Sequence, residues 1–196
     1  MQAAEFHFCP QCGRPLDKSM IGDQLRKNCL YCSFVHWGEF SLGVGGILWQ
    51  ENKVLLVERA ADPGKGLWTI PGGYVEQGEQ IYEAVKREIR EETGLFSEPQ
   101  ALIAVWDWPG NKHMIYVVFL MCHLGGILQA DPAEVSNLGF FTIEECHGIN
   151  ITDLSLKLVR TSYANRTGLN RTSEIEVIGN LTTLYQIDGK AWPETS

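Results

Sequence analysis

The sequence holds no apolar run long enough to cross a membrane as a helix, and its opening residues, MQAAEFHFCP, carry neither the basic nor the hydrophobic stretch of a secretion signal. The expectation is a cytoplasmic protein with no membrane partner. Positive charge is scarce too: 16 Lys and Arg stand against 24 Asp and Glu, a formal net charge of −8. That balance disfavours a surface that holds nucleic acid or anionic lipid nonspecifically, and it points to small-molecule partners. No internal repeat is present, since the two Asn-Arg-Thr triplets are too short to form one. Sequons at Asn150, Asn165, Asn170 and Asn180 are read as chance occurrences in a chain with no secretory signal. What is there, 196 residues with 44% hydrophobic content, suffices for one medium domain and a small additional one.

Of the six cysteines, four form Cys9-x2-Cys12 and Cys29-x2-Cys32, with sixteen residues between the pairs. Each Cys-x-x-Cys makes a tight knuckle that places two thiolates on one side, and two knuckles complete a tetrahedron around Zn²⁺. Two redox-active pairs or two disulfides are the alternatives, although no thioredoxin-like βαβ pattern surrounds them. Four cysteine ligands leave no coordination position for substrate, so the site reads as structural. Residues 1–38 are expected to form a zinc ribbon too small to fold without its metal. Cys122 and Cys146 stand alone in apolar settings and are assigned to packing.

From Gln80 to Thr93 neither proline nor glycine occurs, helix formers dominate, and Gly94 stands where a left-handed residue would end a helix. The pattern predicts a helix of about four turns. At roughly 100° per residue, Ile81, Tyr82, Val85 and Ile89 share one side, while Glu88, Glu91 and Glu92 crowd an arc of about 100° that overlaps it. A solvated charge run is the plain alternative. Against it, Glu92 projects into the apolar sector, where an unpaired carboxylate is costly, and like charges at neighbouring positions repel unless neutralised. An oxygen-only ligand set suits Mg²⁺ or Mn²⁺ rather than zinc. Arg87, four residues before Glu91, is placed to brace it. Just upstream, Leu67–Gly73 is a strand-like run ending in Gly72 and Gly73, whose bare backbone can approach phosphate or metal closely.

This span resembles the Nudix box, the family pattern G-x5-E-x7-R-E-U-x-E-E-x-G-U in which U is aliphatic. Gly73, Glu79, Arg87, Glu88, Ile89, Glu91, Glu92, Gly94 and Leu95 meet every fixed position. The resemblance covers residues 41–164 and implies an α+β fold, an α/β/α sandwich with a mixed sheet, preceded here by the zinc ribbon. It further implies hydrolysis of a nucleoside diphosphate linked to another moiety. Glu88, Glu91 and Glu92 would hold Mg²⁺ or Mn²⁺ with a backbone carbonyl near Gly72 or Gly73, and Arg87, Glu88, Glu91 and Glu92 would belong to the catalytic set. In many members an acidic residue from a later loop acts as another ligand or as general base, and Glu134 is the candidate here.

Around the box, residues 41–49 and 53–59 read as a hairpin, 101–106 and 113–123 as strands with a loop at 107–112, 138–141 as a strand, and 149–164 as a second helix. Arg59 leads into a loop where it would meet a phosphate or form a surface salt bridge. Trp106 and Trp108 flank Asp107 beside Pro109-Gly110 and are candidates for stacking on a base, with core packing the commoner role. Residues 174–178 and 181–187 read as an appended hairpin in a C-terminal extension, 165–196, after a hydrolase domain at 39–164. By analogy with other Nudix proteins, that addition suggests a homodimer.

A zinc ribbon before a Nudix domain looks like the NADH pyrophosphatases, but their SQPWPFPxS hallmark is missing: Phe96-Ser97-Glu98-Pro99-Gln100-Ala101 follows the box. The layout is more similar to the members grouped with ADP-ribose and FAD pyrophosphatases, and Pro109, fourteen residues past Leu95, loosely matches a downstream proline of ADP-ribose enzymes. Two other classes stand beside this reading: a ligand-sensing regulator, which would be expected to lose box carboxylates, and an RNA-directed zinc-ribbon protein. The ribbon's basic residues are Arg14, Lys18, Arg26 and Lys27, with no evident aromatic-basic surface in the sequence.

Overall fold

The computed structural model describes residues 6–109, 112–164, 175–177 and 180–185. The chain divides into two units, Met1–Phe40 with Pro109–His113, and Ser41–Trp108 with Met114–Ser196.

The first unit contains strands β1 (Asp17–Ile21) and β2 (Gln24–Asn28), paired antiparallel so that Ile21 faces Gln24 across a two-residue turn at Gly22 and Asp23. Gly22 adopts φ 61°, which glycine tolerates at no steric cost. On either side of this hairpin lie the two cysteine knuckles, each closed by backbone hydrogen bonds: the Gly13 N–H donates to the Cys9 carbonyl at 2.8 Å and the Cys29 N–H to the Phe34 carbonyl at 3.0 Å.

The second unit is built on a nine-stranded sheet in the order β10-β11-β7-β8-β3-β4-β5, with β6 also pairing β3 and β9 pairing β4. Its strands are β3 (Phe40–Gln50), β4 (Lys53–Arg59), β5 (Trp68–Thr69), β6 (Gly72–Tyr74), β7 (Leu95–Trp108), β8 (His113–Gly126), β9 (Val135–Phe141), β10 (Ile175–Val177) and β11 (Asn180–Tyr185). The central strands are apolar at consecutive positions because both faces of the sheet are covered. On one face Val44, Leu48 and Leu55 pack against Ala84, Val85 and Ile89 of helix α1 (Ile81–Thr93). On the other, Ile47, Val54 and Leu56 meet Cys146 of the short helix α2 (Ile143–Cys146) and Leu158 and Val159 of α3 (Asp153–Ala164). The result is the expected layering of helices about a mixed sheet. No helix among the described residues is long and apolar enough to cross a membrane.

Three local readings need correction. Residues 107 and 108 are strand, not loop: β7 runs unbroken to Trp108, with Asp107 opposite Ile115 and Trp108 opposite Met114. Cross-strand pairing outweighs the poor strand preference of Asp107 and the turn signal of Pro109-Gly110. Helix α3 starts at Asp153 rather than Ile149, because Ile151 bridges to Trp68 and Thr152 accepts from the Ser155 N–H at the helix start. Tyr82, assigned by angle to the apolar side of α1, is 42% exposed; it lies in the first turn at the rim of the buried sector.

Candidate functional site

Gly94 ends α1 as expected, at φ 72° with its N–H donating to the Arg90 carbonyl at 2.9 Å. Within the helix, Glu88 and Glu92 sit four residues apart in the middle of the buried arc and are only 7% and 8% exposed. The Glu91 side chain, at the edge, is 53% exposed. Two acids therefore face the strand and loop beside the helix, and glycines make the room. Gly72 and Gly73 pair with Gly45 and Val44 of β3. At Gly72, φ is 154° and a Cβ would meet the Val44 carbonyl oxygen at 2.1 Å; at Gly73 it would meet the Glu88 carboxylate at 2.5 Å. The Gly72 N–H donates to Glu92 Oε2 at 2.8 Å, tying the end of the helix to the glycine turn.

Arg87 collects the remaining acids. Its Nε and Nη2 each donate to Glu79 at 2.9 Å in a two-pronged contact, Nη2 also reaches the Tyr74 carbonyl at 3.0 Å, and Nη1 donates to Glu88 at 2.8 Å and Glu91 at 2.9 Å. The expected brace for Glu91 thus extends to three carboxylates. Hydrogen bonding to Arg87 holds Glu79 below the usual carboxylate range and pushes Arg87 further up. Burial acts the other way on the inner pair. It raises Glu88 against its Arg87 contact, and it raises Glu92 to about 8 against the Gly72 hydrogen bond.

Glu134 and Arg59 join this cluster from elsewhere in the chain. The Ala60 N–H donates to the Glu134 carbonyl at 2.9 Å, and a bulge in the β4–β9 ladder sets Arg59 opposite Val135. The Glu134 carboxylate adds to the upward shift of both Glu88 and Glu92, while Arg59 opposes it at Glu92. Arg59 is steadied by donating through Nε to the Pro63 carbonyl at 2.9 Å. Trp106 and Trp108 stack on each other with ring centres 5.3 Å apart and planes 17° from parallel. Trp106 also packs against the α3-side core, and its buried indole N–H has no hydrogen-bond partner among the described residues.

One residue at the site carries no motif. Tyr116 of β8 lies across Gly43, Gly45 and Gly72: a built Cβ at Gly43 would stand 2.7 Å from its ring, and Cβ atoms at Gly45 and Gly72 would stand 2.3 and 2.8 Å from its hydroxyl. Burial first, then the Glu92 and Glu88 carboxylates, push its pKa up. The only hint in the sequence was alternate glycines in a strand, which signal a close approach.

In the first unit, the Sγ atoms of Cys9, Cys12, Cys29 and Cys32 all lie within 4.8 Å of one another. All four are free thiols, with Cys9 and Cys32 at 3.6 Å and Cys12 and Cys29 at 3.5 Å, so the disulfide alternative is not what forms. Among the described residues this is the one group of three or more ligands drawn so close; the box carboxylates are instead each satisfied by Arg87 or the Gly72 N–H. The unit also carries cation–aromatic pairs not legible in the sequence, with Arg14 4.3 Å over Tyr31 and Arg26 4.9 Å over Trp37.

Comparison with known proteins agrees with this geometry. The NUDIX domain model matches residues 39–159. An ADP-ribose pyrophosphatase of Methanocaldococcus jannaschii is 43% identical over 93 residues, 46% of this chain and 55% of that protein. An NAD-capped RNA hydrolase, NudC, of Chromobacterium violaceum is 29% identical over 142 residues, 72% of this chain and 52% of that protein. The chain thus spans about half the length of these curated relatives. The crystal structure of a NUDIX hydrolase from Nitrosomonas europaea superposes with a TM-score of 0.72 at 28% identity, covering 82% of this chain and 92% of the other.

Proposed function

The chain belongs to the NUDIX domain family, and from that premise we propose that it hydrolyses the diphosphate linkage of a nucleoside diphosphate derivative, ADP-ribose or an FAD-like compound foremost, to a nucleoside monophosphate and a phosphorylated moiety. The observation that carries this reading is the pair of buried carboxylates, Glu88 and Glu92, beside Gly72 and Gly73, within electrostatic reach of Glu134. Two buried acids and a third nearby form a site whose chemistry calls for positive charge.

The donor set fits a hard divalent cation, because every side-chain ligand is an oxygen and the inner acids are held at raised pKa by burial and by neighbouring carboxylates. Glu88, Glu91 and Glu92, with a backbone carbonyl at Gly72 or Gly73, would hold Mg²⁺ or Mn²⁺, which supplies neutralisation of the diphosphate charge and acidification of water. Arg87 orients Glu88 and Glu91 through its shared Nη1. Arg59 binds a phosphoryl oxygen. Glu134 takes the proton of the water that attacks one phosphorus in line with its leaving group. Trp106 and Trp108, already stacked together, offer an outer aromatic face to a base. In the first unit, Cys9, Cys12, Cys29 and Cys32 hold a structural Zn²⁺.

The test is chromatography of products after incubation with ADP-ribose, FAD, NADH, dinucleoside polyphosphates and nucleoside triphosphates, with either cation, for wild type and Glu92→Gln. Cleavage of one diphosphate compound, lost with chelator and reduced by orders of magnitude in the variant, is the expected result. Equal turnover by Glu92→Gln would sink the assignment.

A second reading has an observation of its own. Tyr31 and Trp37 are 63% and 62% exposed beneath Arg14 and Arg26, a pairing of ring and cation suited to unstacked bases. With a relative named as an NAD-capped RNA hydrolase, a capped RNA 5′ end is the alternative substrate. Salt-dependent binding of NAD-capped RNA, weakened by Tyr31→Ala and Trp37→Ala, would favour it over free dinucleotides.

A further inference from the structure

Strand β3 leaves out side chains at Gly43 and Gly45 where one phenol lies, while Gly72 of β6 is bare first because its backbone crowds the Val44 carbonyl. Gly43, on the α3 side of β3, lies under the edge of the Tyr116 ring, and Gly45 on the same side lies under its hydroxyl, which also reaches Gly72 of β6. Packing alone does not require this arrangement. A leucine or phenylalanine on β8 would cover the same glycines, and the hydroxyl of this half-buried side chain adds nothing to that packing. The hydroxyl is also delivered to a particular place: Gly72 is the residue whose N–H holds Glu92, and Tyr116 senses Glu92, Glu88 and Arg59 together.

We infer that Tyr116 is a substrate-binding residue of this site, its hydroxyl donating a hydrogen bond to a non-bridging phosphoryl oxygen of the diphosphate. The inference rests on the diphosphate-hydrolase reading and adds to it a residue outside the box. The surrounding chemistry suits the role. A neutral phenol supplies a donor without adding charge, whereas a lysine there would compete with a cation for the carboxylates. A phenol carries its proton at neutral pH, so the group is available as a donor. Ring packing over Gly43 and Gly45 fixes the direction of the O–H before substrate arrives, which reduces the ordering cost of binding.

The experiment compares wild type with Tyr116→Phe, which keeps the ring over the glycines and removes only the oxygen. Calorimetric binding of the non-cleavable α,β-methylene analogue of ADP-ribose with Mg²⁺ is measured beside turnover of ADP-ribose and the melting temperature. Binding weaker by roughly tenfold or more, the loss expected for a hydrogen bond to a charged group, with an unchanged melting temperature, supports the inference. Equal affinity and equal KM overturn it while leaving the hydrolase reading intact. If wild type itself neither binds the analogue nor cleaves any diphosphate compound, the hydrolase reading fails, and this inference falls with it.

Discussion

Gly73 and Glu88 occupy the same space by halves: a methyl group on the glycine would stand 2.5 Å from the carboxylate of the acid. The glycine's backbone is ordinary, since its φ is not among the positive ones, so an alanine there meets its nearest obstacle in the Glu88 carboxylate rather than in the backbone. Gly73→Ala should therefore displace that carboxylate without unfolding the protein. The expected outcome is a fall in kcat/KM of about 100-fold, the upper range for disturbed metal-site partners, with a melting temperature within a few degrees of wild type. Steady-state hydrolysis and a thermal melt read the two effects separately.

Arg87 joins Glu79, Glu88 and Glu91 through a planar fork, and a lysine cannot reproduce it. Arg87→Lys should keep the charge but lose the orientation of Glu88 and Glu91. Apparent affinity for Mn²⁺ is expected to drop about tenfold, as read from activity against cation concentration. Glu79→Gln, which leaves the other contacts in place, should cost less.

Stability without divalent cation should depend on pH with a definite sign. The folded-state pKa of Glu92 is about 8 and that of Glu88 is also raised, so both acids bind protons more tightly folded than unfolded. Their favourable contribution is complete below the unfolded value near 4.5 and is lost as pH rises toward 8. Denaturant titrations in chelator should show the protein losing on the order of a few kcal/mol across that window. Added Mg²⁺ should remove most of the slope, and Glu92→Gln should remove its larger part without cation.

Removal of metal from the cysteine cluster should unfold the first unit and spare the second. The four thiols close one site, and the hairpin of β1 and β2 buries too little to stand alone. Thiol modification is expected to release one zinc ion per chain, as read with a chromogenic chelator. Amide exchange should then become fast in residues 6–40 while remaining slow in the core strands.

How far the sequence could be read follows from the range of the forces involved. Helix α1 was legible to within one residue at its ends because its signals are local: spacing of Val85 and Ile89, absence of breakers, and Gly94 at the stop. The same angles put Glu92 in the apolar sector, as found, but grouped the three acids in one arc without separating buried Glu88 from exposed Glu91. The cysteine cluster was legible for a similar reason, since two short knuckles encode half the tetrahedron each. Contacts across the sheet were harder. Tyr116 reaches Gly72 only through the order β8-β3 and the β3–β6 pairing, which no local pattern encodes. Asp107 looked like the start of a loop until partners on β8 held it in a strand. Glu134 was found through the family likeness; its nearness to Glu88 and Glu92 depends on the β4–β9 ladder.

At the far side of the sheet, β11 lies along β7, with Tyr185, Leu184 and Thr183 opposite Val105, Trp106 and Asp107, and β10 lies beyond it. A long strand with a bare edge is a template for pairing with other chains. Here β11 covers that edge at Val105, Trp106 and Asp107, so a chain cut after Ala164 would keep every box carboxylate yet bare this stretch of the flank. Its first fault would be colloidal, seen as turbidity and scattering, before any fault in chemistry.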